Sequence, residues 1–238
     1  MGKLLSLFIN DGKFIFRNSI LIVLAIAPLL IMGFIRYLLP FIAKNYLPEL
    51  IIHYPYIIAL FCLMTAIFPA FAISFIMLDE KDEDLFQVLR VMPISFLDFL
   101  TYRLTFVFCF GFFFSFLTLK FNGLLEVDTS TCIYMALLFA LSGPIVTLVT
   151  VTFASNKVEG LAILKAINFI FILPLLSIFI PSNWKFVLSI IPQFWSYQTF
   201  VQYFNNNSLW YFIIGVLFHV LTLIGLIALF KVNIFRRK

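Results

Sequence analysis

Long uncharged, almost wholly apolar runs alternate with short charged segments along this chain. The runs extend from Asn18 to Ile35, Leu50 to Leu78, Leu104 to Leu119, Thr129 to Asn156, Ala166 to Trp184 and Phe186 to Phe230. A helix crosses a bilayer with about 20 predominantly apolar residues, so the pattern predicts six transmembrane helices, at about 18–39, 55–78, 97–119, 130–153, 161–181 and 209–230. The last run is too long for one helix and is broken by Pro192 and by Asn205, Asn206 and Asn207, which leaves 182–208 as a non-spanning segment. The third run is short, so its helix is expected to start near Ser95 and to carry Arg103 at headgroup level, where a long cationic side chain snorkels.

Ahead of the first span, Lys3, Ser6, Asn10, Lys13 and Arg17 recur at steps of three and four, opposite Leu5, Phe8, Ile9, Ile15 and Phe16. This is the pattern of an amphipathic helix over 1–17 lying in the plane of the inner leaflet. Asn10, Asp11, Lys13 and Arg17 interrupt any signal-peptide core. Met1-Gly2 with Ser6 fits a myristoylation pattern and Asn206-Asn207-Ser208 a glycosylation sequon, and both patterns are short enough to arise by chance.

Composition removes the water-soluble alternatives. Hydrophobic residues make up 63% of the chain and charged residues 11%, with 33 Phe, and so few charges cannot cover so large an apolar surface in water. The net charge of +5 does not form a nucleic-acid patch, because the cations sit at the ends of apolar segments. With the N-terminus inside, twelve Lys and Arg fall on the cytoplasmic side and four (Arg36, Lys44, Lys120, Lys185) outside. The positive-inside rule then predicts that both termini are cytoplasmic and puts Trp184, Trp195 and Trp210 near the outer interface. Cys62, Cys109 and Cys132 show no CxxC spacing and read as small core hydrophobes.

Between the second and third spans, Asp79, Glu80, Lys81, Asp82, Glu83 and Asp84 hold five of the eleven acidic residues in a stretch that cannot enter lipid. Leu85, Phe86, Val88, Leu89 and Val91 then form a short amphipathic segment stopped by Pro93, and Ser95 with Asp98 makes a capping-box start for the next helix. A helix with an apolar face in a cytoplasmic loop implies a surface to press against.

These residues resemble the ABC-2 type permeases, the membrane halves of many bacterial ATP-binding cassette exporters. The order acidic stretch, apolar run, Pro and Ile-Ser is followed by Glu83-Asp84-Leu85-Phe86-Gln87-Val88-Leu89-Arg90-Val91-Met92-Pro93-Ile94-Ser95, with Asp84 where the family has Gly and Met92 where it has Thr. Asn156-Lys157-Val158-Glu159-Gly160-Leu161-Ala162 and Ile191-Pro192-Gln193-Phe194-Trp195 resemble loops of the fluoroquinolone-export-type permeases. The resemblance covers the chain as one transmembrane domain, 1–238. It implies a separate cytoplasmic ATPase subunit carrying ATP and Mg, and a permease homodimer or a pair with a related permease. It further implies a coupling loop at 79–96, in which Glu83, Asp84, Leu85, Phe86, Leu89, Arg90 and Pro93 meet the ATPase, with a second contact at Asn156, Lys157 and Glu159. The outer segment 182–208 would be re-entrant or interfacial, placing Phe194 and Trp195 by the translocation path. The cargo class implied is an amphiphilic or hydrophobic drug, lipid or peptide. No phosphate-binding loop is present, since Gly12-Lys13 is followed by Phe14 and Leu7 stands where the first Gly is needed.

Within the spans, Ser142-Gly143-Pro144 predicts a kink in the fourth helix through loss of a backbone donor, with Ser142, Pro144, Thr147, Thr150 and Asn168 as candidates to line a path. Arg36 and Lys165 read as snorkelling span-end cations and His219 as a hydrogen-bonded interior residue, with His53 at the outer boundary. Two other classes were weighed. A lipid-modifying membrane enzyme needs convergent acids, metal ligands or a nucleophile at membrane depth, and neither HExxH nor a paired Asp motif occurs within a span. An immunity or sensor protein on the same scaffold differs only in lacking transport.

Overall fold

The computed structural model describes residues 17–83, 96–180, 183–204 and 208–236. The helix expected over 1–17 lies outside the described residues, as does most of the 79–96 loop, including Asp84, Leu85, Phe86, Leu89, Arg90 and Pro93. Every regular element among the described residues is helical. Six helical stretches are long and apolar enough to cross a membrane.

The first span comprises α1 (Ser19–Gly33), a widened π turn (Phe34–Leu38) and α2 (Leu39–Asn45). The widened turn has a local cause: Pro40 lacks an N–H and its ring would clash with the carbonyl four residues back, inside that turn. A 3-10 segment (Pro48–His53) leads into α3 (Tyr54–Asp82), which has Pro55 in its first turn, where a missing donor is harmless. Twenty-nine residues make α3 about 44 Å long, more than a bilayer core requires. It therefore runs beyond the expected 55–78 and carries Asp79–Asp82 in helix, where a loop was expected.

The third span, α4 (Phe96–Phe121), includes Arg103, which is buried rather than snorkelling. The fourth span is divided into α5 (Thr129–Ala140) and α6 (Ser142–Phe153), interrupted at Leu141, directly after Ala140, whose carbonyl the Pro144 ring crowds. The fifth, α7 (Lys157–Ile172), turns 3-10 over Leu173–Phe179, where Pro174 cannot continue the α ladder. A further 3-10 segment (Asn183–Ile190) precedes α8 (Pro192–Tyr203), and α9 (Ser208–Arg236) is the last span.

Helix α3 is the axis of the bundle: α1, α4, α6, α7 and α8 all pack on it, while α9 packs on α8 and α6. In the most apolar stretch of the second span 67% of residues are buried, against 17% in the first and last spans, so α3 is shielded by the others and α1 and α9 present side chains to lipid. Close approach around α3 rests on small residues, as it does where helices pack in lipid. A Cβ on Gly111 would stand 2.8 Å from the Ala66 carbonyl oxygen, and one on Gly143 would stand 2.7 Å from Val107 Cγ1 and 3.3 Å from the same oxygen. Three helices thus converge on the carbonyl of one α3 residue.

The non-spanning segment divides into an exposed 3-10 stretch (Asn183–Ile190) and a buried helix. Helix α8 is twelve residues long, about 18 Å, too short to cross a bilayer, and every residue from Pro192 to Phe200 is buried. Trp195, expected at the interface, is 8% exposed and packs on Phe218 of α9 at 5.3 Å, whereas Trp184 and Trp210 are exposed. Cys62 and Cys132 are buried; Cys109, expected in the core, is exposed on α4.

At the end of the bundle where α4 stops, Asn122 holds a tight turn, accepting from the N–H groups of Leu124 and Leu125 and donating to Leu119 O at 2.6 Å. Gly123 supplies the left-handed backbone (φ 69°) this turn requires. Arg36 does more than snorkel: its Nη1 donates to Phe121 O at 3.0 Å, satisfying a carbonyl at the negative end of α4. Asp128 caps α5 and accepts from Ser130, from Thr131 and, at 2.8 Å, from Tyr203 at the end of α8. These hydrogen bonds, led by that of Ser130, hold its carboxyl well below the usual carboxylate range.

Two outcomes follow from this packing. Gly111→Val should lower stability by about 1–3 kcal/mol, as overpacking does, whereas Gly225→Ala, where a Cβ meets nothing within 4 Å, should leave the melting temperature of the purified protein unchanged. A carboxylate depressed in the folded state stabilises above its unfolded pKa of about 4, and that contribution is lost as pH falls through the folded value. Melting temperature in detergent should therefore fall less steeply below pH 4 in Asp128→Asn than in the parent chain.

Candidate functional site: the α3 terminus and the buried α8 helix

The charges at the end of α3 are bound one by one to different helices. Asp79 accepts from Lys157 at the start of α7, with Oδ2 and Nζ 2.7 Å apart. Glu80 pairs with Arg103 on α4 at 2.5 Å, and the Arg103 side chain is 1% exposed. Phe99, one turn before Arg103, and the adjacent Tyr102 bring their rings to 5.2 and 5.8 Å from its guanidinium, so cation–π attraction adds to the ion pair. Lys81 donates to Val151 O at 2.7 Å and Ala154 O at 2.6 Å, satisfying carbonyls at the negative end of α6. Consecutive residues on a helix point about 100° apart, and here three in a row reach three neighbours.

The second expected contact lies against the first. Asn156 caps α7 by accepting from Glu159 N at 3.0 Å, and the Glu159 carboxylate returns to accept from Ser155 N at 2.7 Å, a capping box displaced by one residue. Gly160 lets α7 cross α3 tightly, since a Cβ there would stand 2.4 Å from Leu78 Cδ1. Val158, beside this cap, is 77% exposed. The α7 start is thus tied through Lys157 to Asp79, one turn before Glu83, where α3 ends and the chain continues to 84–95.

Deeper in the bundle, the break between α5 and α6 faces the root of α8. Gln193 Nε2 donates to Ser142 Oγ at 3.2 Å, and Ser142 Oγ lies 3.4 Å from His219 Nε2, while His219 Nδ1 is 2.8 Å from Gly215 O. All three side chains are fully buried. Gln193 Oε1, Ser196 Oγ and Tyr197 Oη make no hydrogen bond to the described residues, so this polar patch is only partly satisfied at a depth where each such group is costly. Gly215 admits α8 against α9, because a Cβ there would meet Trp195 Cβ at 3.0 Å.

The expected path residues divide. Ser142 belongs to this patch; Phe194 and Trp195 pack beside it on α8, in T-shaped contact at 5.4 Å. Thr147 is buried, its hydroxyl 3.5 Å from Ala70 O on α3, and Pro144 is buried at the break. Asn168 is half-buried on α7, and neither it nor Thr147 is brought to the patch by a contact. Lys165, two turns into α7, is exposed. Gln193 and Arg103 went unread as site residues. Gln193 is a polar amide directly after Pro192, and Arg103 is a charge between Asp98 and Lys120 in an otherwise uncharged helix; both are signals in the chain. Among the described residues no group of three His, Cys, Asp or Glu could hold a metal ion.

Removing one partner of the buried pair should be costly. Glu80→Gln leaves the Arg103 charge buried without its counterion and should destabilise by about 3–5 kcal/mol, read from thermal unfolding in detergent. The double change Glu80→Gln with Arg103→Met should recover most of that loss.

A family model described as fluoroquinolones export permease protein Rv2686c-like matches residues 11–227. Two proteins of Mycobacterium tuberculosis are similar over most of their length: the fluoroquinolones export permease protein Rv2686c of strain ATCC 25618 / H37Rv and the fluoroquinolones export permease protein MT2760 of strain CDC 1551 / Oshkosh. Each is 30% identical over 213 residues, covering 87% of this chain and 84% of the relative. No solved structure matches the chain significantly.

Proposed function

The chain belongs to the Rv2686c-like family of fluoroquinolones export permeases, and we propose that this multi-pass membrane protein is the transport subunit of an exporter driven by a separate ATP-binding cassette ATPase. In this reading ATP and Mg reside on the ATPase, two permeases pair with two ATPases, and the cargo is an amphiphile of the kind named for the relatives. The observation that carries it is the bound terminus of α3. The chain leaves that terminus for 84–95 immediately after residues tied to α4, α6 and α7.

Coupling then has a mechanical route. A helix over 84–93, seated on the ATPase through Leu85, Phe86 and Leu89 with Asp84 and Arg90 fixing register, would be pulled when the ATPase dimer closes. A flexible junction would absorb such a pull. Here the junction is the last turn of a helix about 44 Å long whose charges hold three neighbours, so a displacement reaches α4, α6 and α7 together. Midway along that lever α8 rests on the break between α5 and α6, held by few polar contacts. Movement of α6 relative to α8 would open a route between them, with Ser142, Gln193 and His219 exchanging protein partners for cargo or water.

The test is complex formation. The ATPase encoded beside this chain should co-purify with it, and Phe86→Asp and Leu89→Asp should each cut recovery about tenfold, the loss expected when a buried apolar anchor worth more than 1.4 kcal/mol is removed. Undiminished recovery from both variants overturns the coupling assignment.

A further inference from the structure

At the end of the bundle opposite the α3 terminus, between the ends of the first and third spans, lies an open cavity of about 770 Å³. That volume is within the usual range for small-molecule sites, about 300–1,000 Å³. Its walls carry charges of both signs, Arg36 and Lys120 together with Glu126 and Asp128.

The cavity is built on rigid backbone. The Asn122 turn, the left-handed Gly123 and the Asp128 cap fix the loop over 122–128, and Arg36 reaches across from the first span to bond that loop's root at Phe121. A Cβ on Gly123 would stand 3.4 Å from Arg36 Nη1, so the same glycine that makes the turn leaves room for the guanidinium. The backbone that carries these side chains is therefore held in place before any ligand arrives.

The charges do not neutralise one another. Arg36 donates to a backbone carbonyl and Lys120 to the Thr129 hydroxyl at 2.8 Å, both neutral acceptors. Asp128 is engaged by Ser130, Thr131 and Tyr203, while Glu126 makes no hydrogen bond to the described residues. Among the described residues the ion pairs are Arg103–Glu80 and Lys157–Asp79, so no cation in the cavity touches a carboxylate. A ligand of one sign would be drawn by one part of this wall and repelled by the other. A dipolar ligand satisfies both. Leu124, Leu125, Val127 and Tyr203 complete the lining with apolar surface, which suits a ligand with a hydrophobic body.

We propose that this cavity binds a zwitterionic amphiphile, its anionic group at Arg36 and Lys120 and its ammonium at Glu126. Two sources share that chemistry: the headgroup of a zwitterionic lipid, or a zwitterionic cargo on its way out. The second rests on the export reading above; the first does not.

The experiment uses the full chain purified in dodecylmaltoside, titrated at pH 7 with dihexanoylphosphatidylethanolamine and with ciprofloxacin. Each is paired with a single-charge comparator, dihexanoylphosphatidylglycerol and ciprofloxacin methyl ester. At least one zwitterion should bind saturably, about tenfold tighter than its comparator, and Glu126→Gln should weaken it by about the same factor while keeping the parent melting temperature. Arg36→Gln with Lys120→Gln should weaken binding by about the same factor. Binding of the lipid alone assigns the site to a headgroup, and binding of ciprofloxacin alone assigns it to cargo. The proposal is overturned if neither zwitterion saturates below about 1 mM, if the comparators bind as well, or if Glu126→Gln binds like the parent. ATP-driven uptake of ciprofloxacin into proteoliposomes with the ATPase separates the two claims. Binding without uptake removes the export reading and keeps the site, and uptake without binding does the reverse.

Discussion

Arg103 cannot be buried in a membrane protein without a counterion, and the only way to bring Glu80 to it is to continue α3 as helix past the apolar run. Once the helix is continued, Asp79 and Lys81 are carried round the same turn to face α7 and α6, and each finds an opposite charge or the negative end of a helix there. The arrangement of four helices at this end of the bundle therefore follows from one buried cation. Farther along α3, close contact depends on small residues: Gly111 and Gly143 allow two helices to share the surface around Ala66. Charge sets the register of α3 at one end, and small residues set its spacing in the middle.

Two of the prolines that disturb the spans, Pro40 and Pro144, have different results because of what surrounds them. Pro40 is accommodated by widening one turn, and the first span continues. Pro144 instead separates α5 from α6, and the gap is where Ser142 meets Gln193 and His219. Irregular backbone is tolerated at membrane depth where it is covered by protein, and α8 is that cover. The neutral patch beneath α8 and the ion-paired charges at the α3 terminus make different contributions: charge pairs tie one end of the bundle together, while the interior contact rests on a few neutral hydrogen bonds.

Much of this was legible in the chain. Six runs of membrane-crossing length gave six spanning helices, because in lipid the backbone has no other way to satisfy itself. The break at Ser142-Gly143-Pro144 was readable from the missing donor. Asp79–Asp82 was not readable as helix: composition says only that these charges avoid lipid, and their helical state depends on partners 23 to 78 residues away. Arg103 was misjudged for the same reason, since a cation near a span end snorkels unless a carboxylate is brought to it. Trp195 was placed at the interface because amphipathic rings favour it, yet its indole finds Ser189 O at 3.0 Å inside the protein. Pairings at long sequence separation decided each of these cases.

Helix α8 also constrains how the molecule is made. Its twelve residues, rich in Gln, Ser, Thr and Tyr, are too short and too polar to partition into a bilayer as they emerge from the ribosome. Its burial needs α3 and α5, inserted before it, and α9, inserted after it. The last span must therefore be in place before α8 can leave the surface, and the interior patch at Ser142 stays open to water until the final helix has crossed.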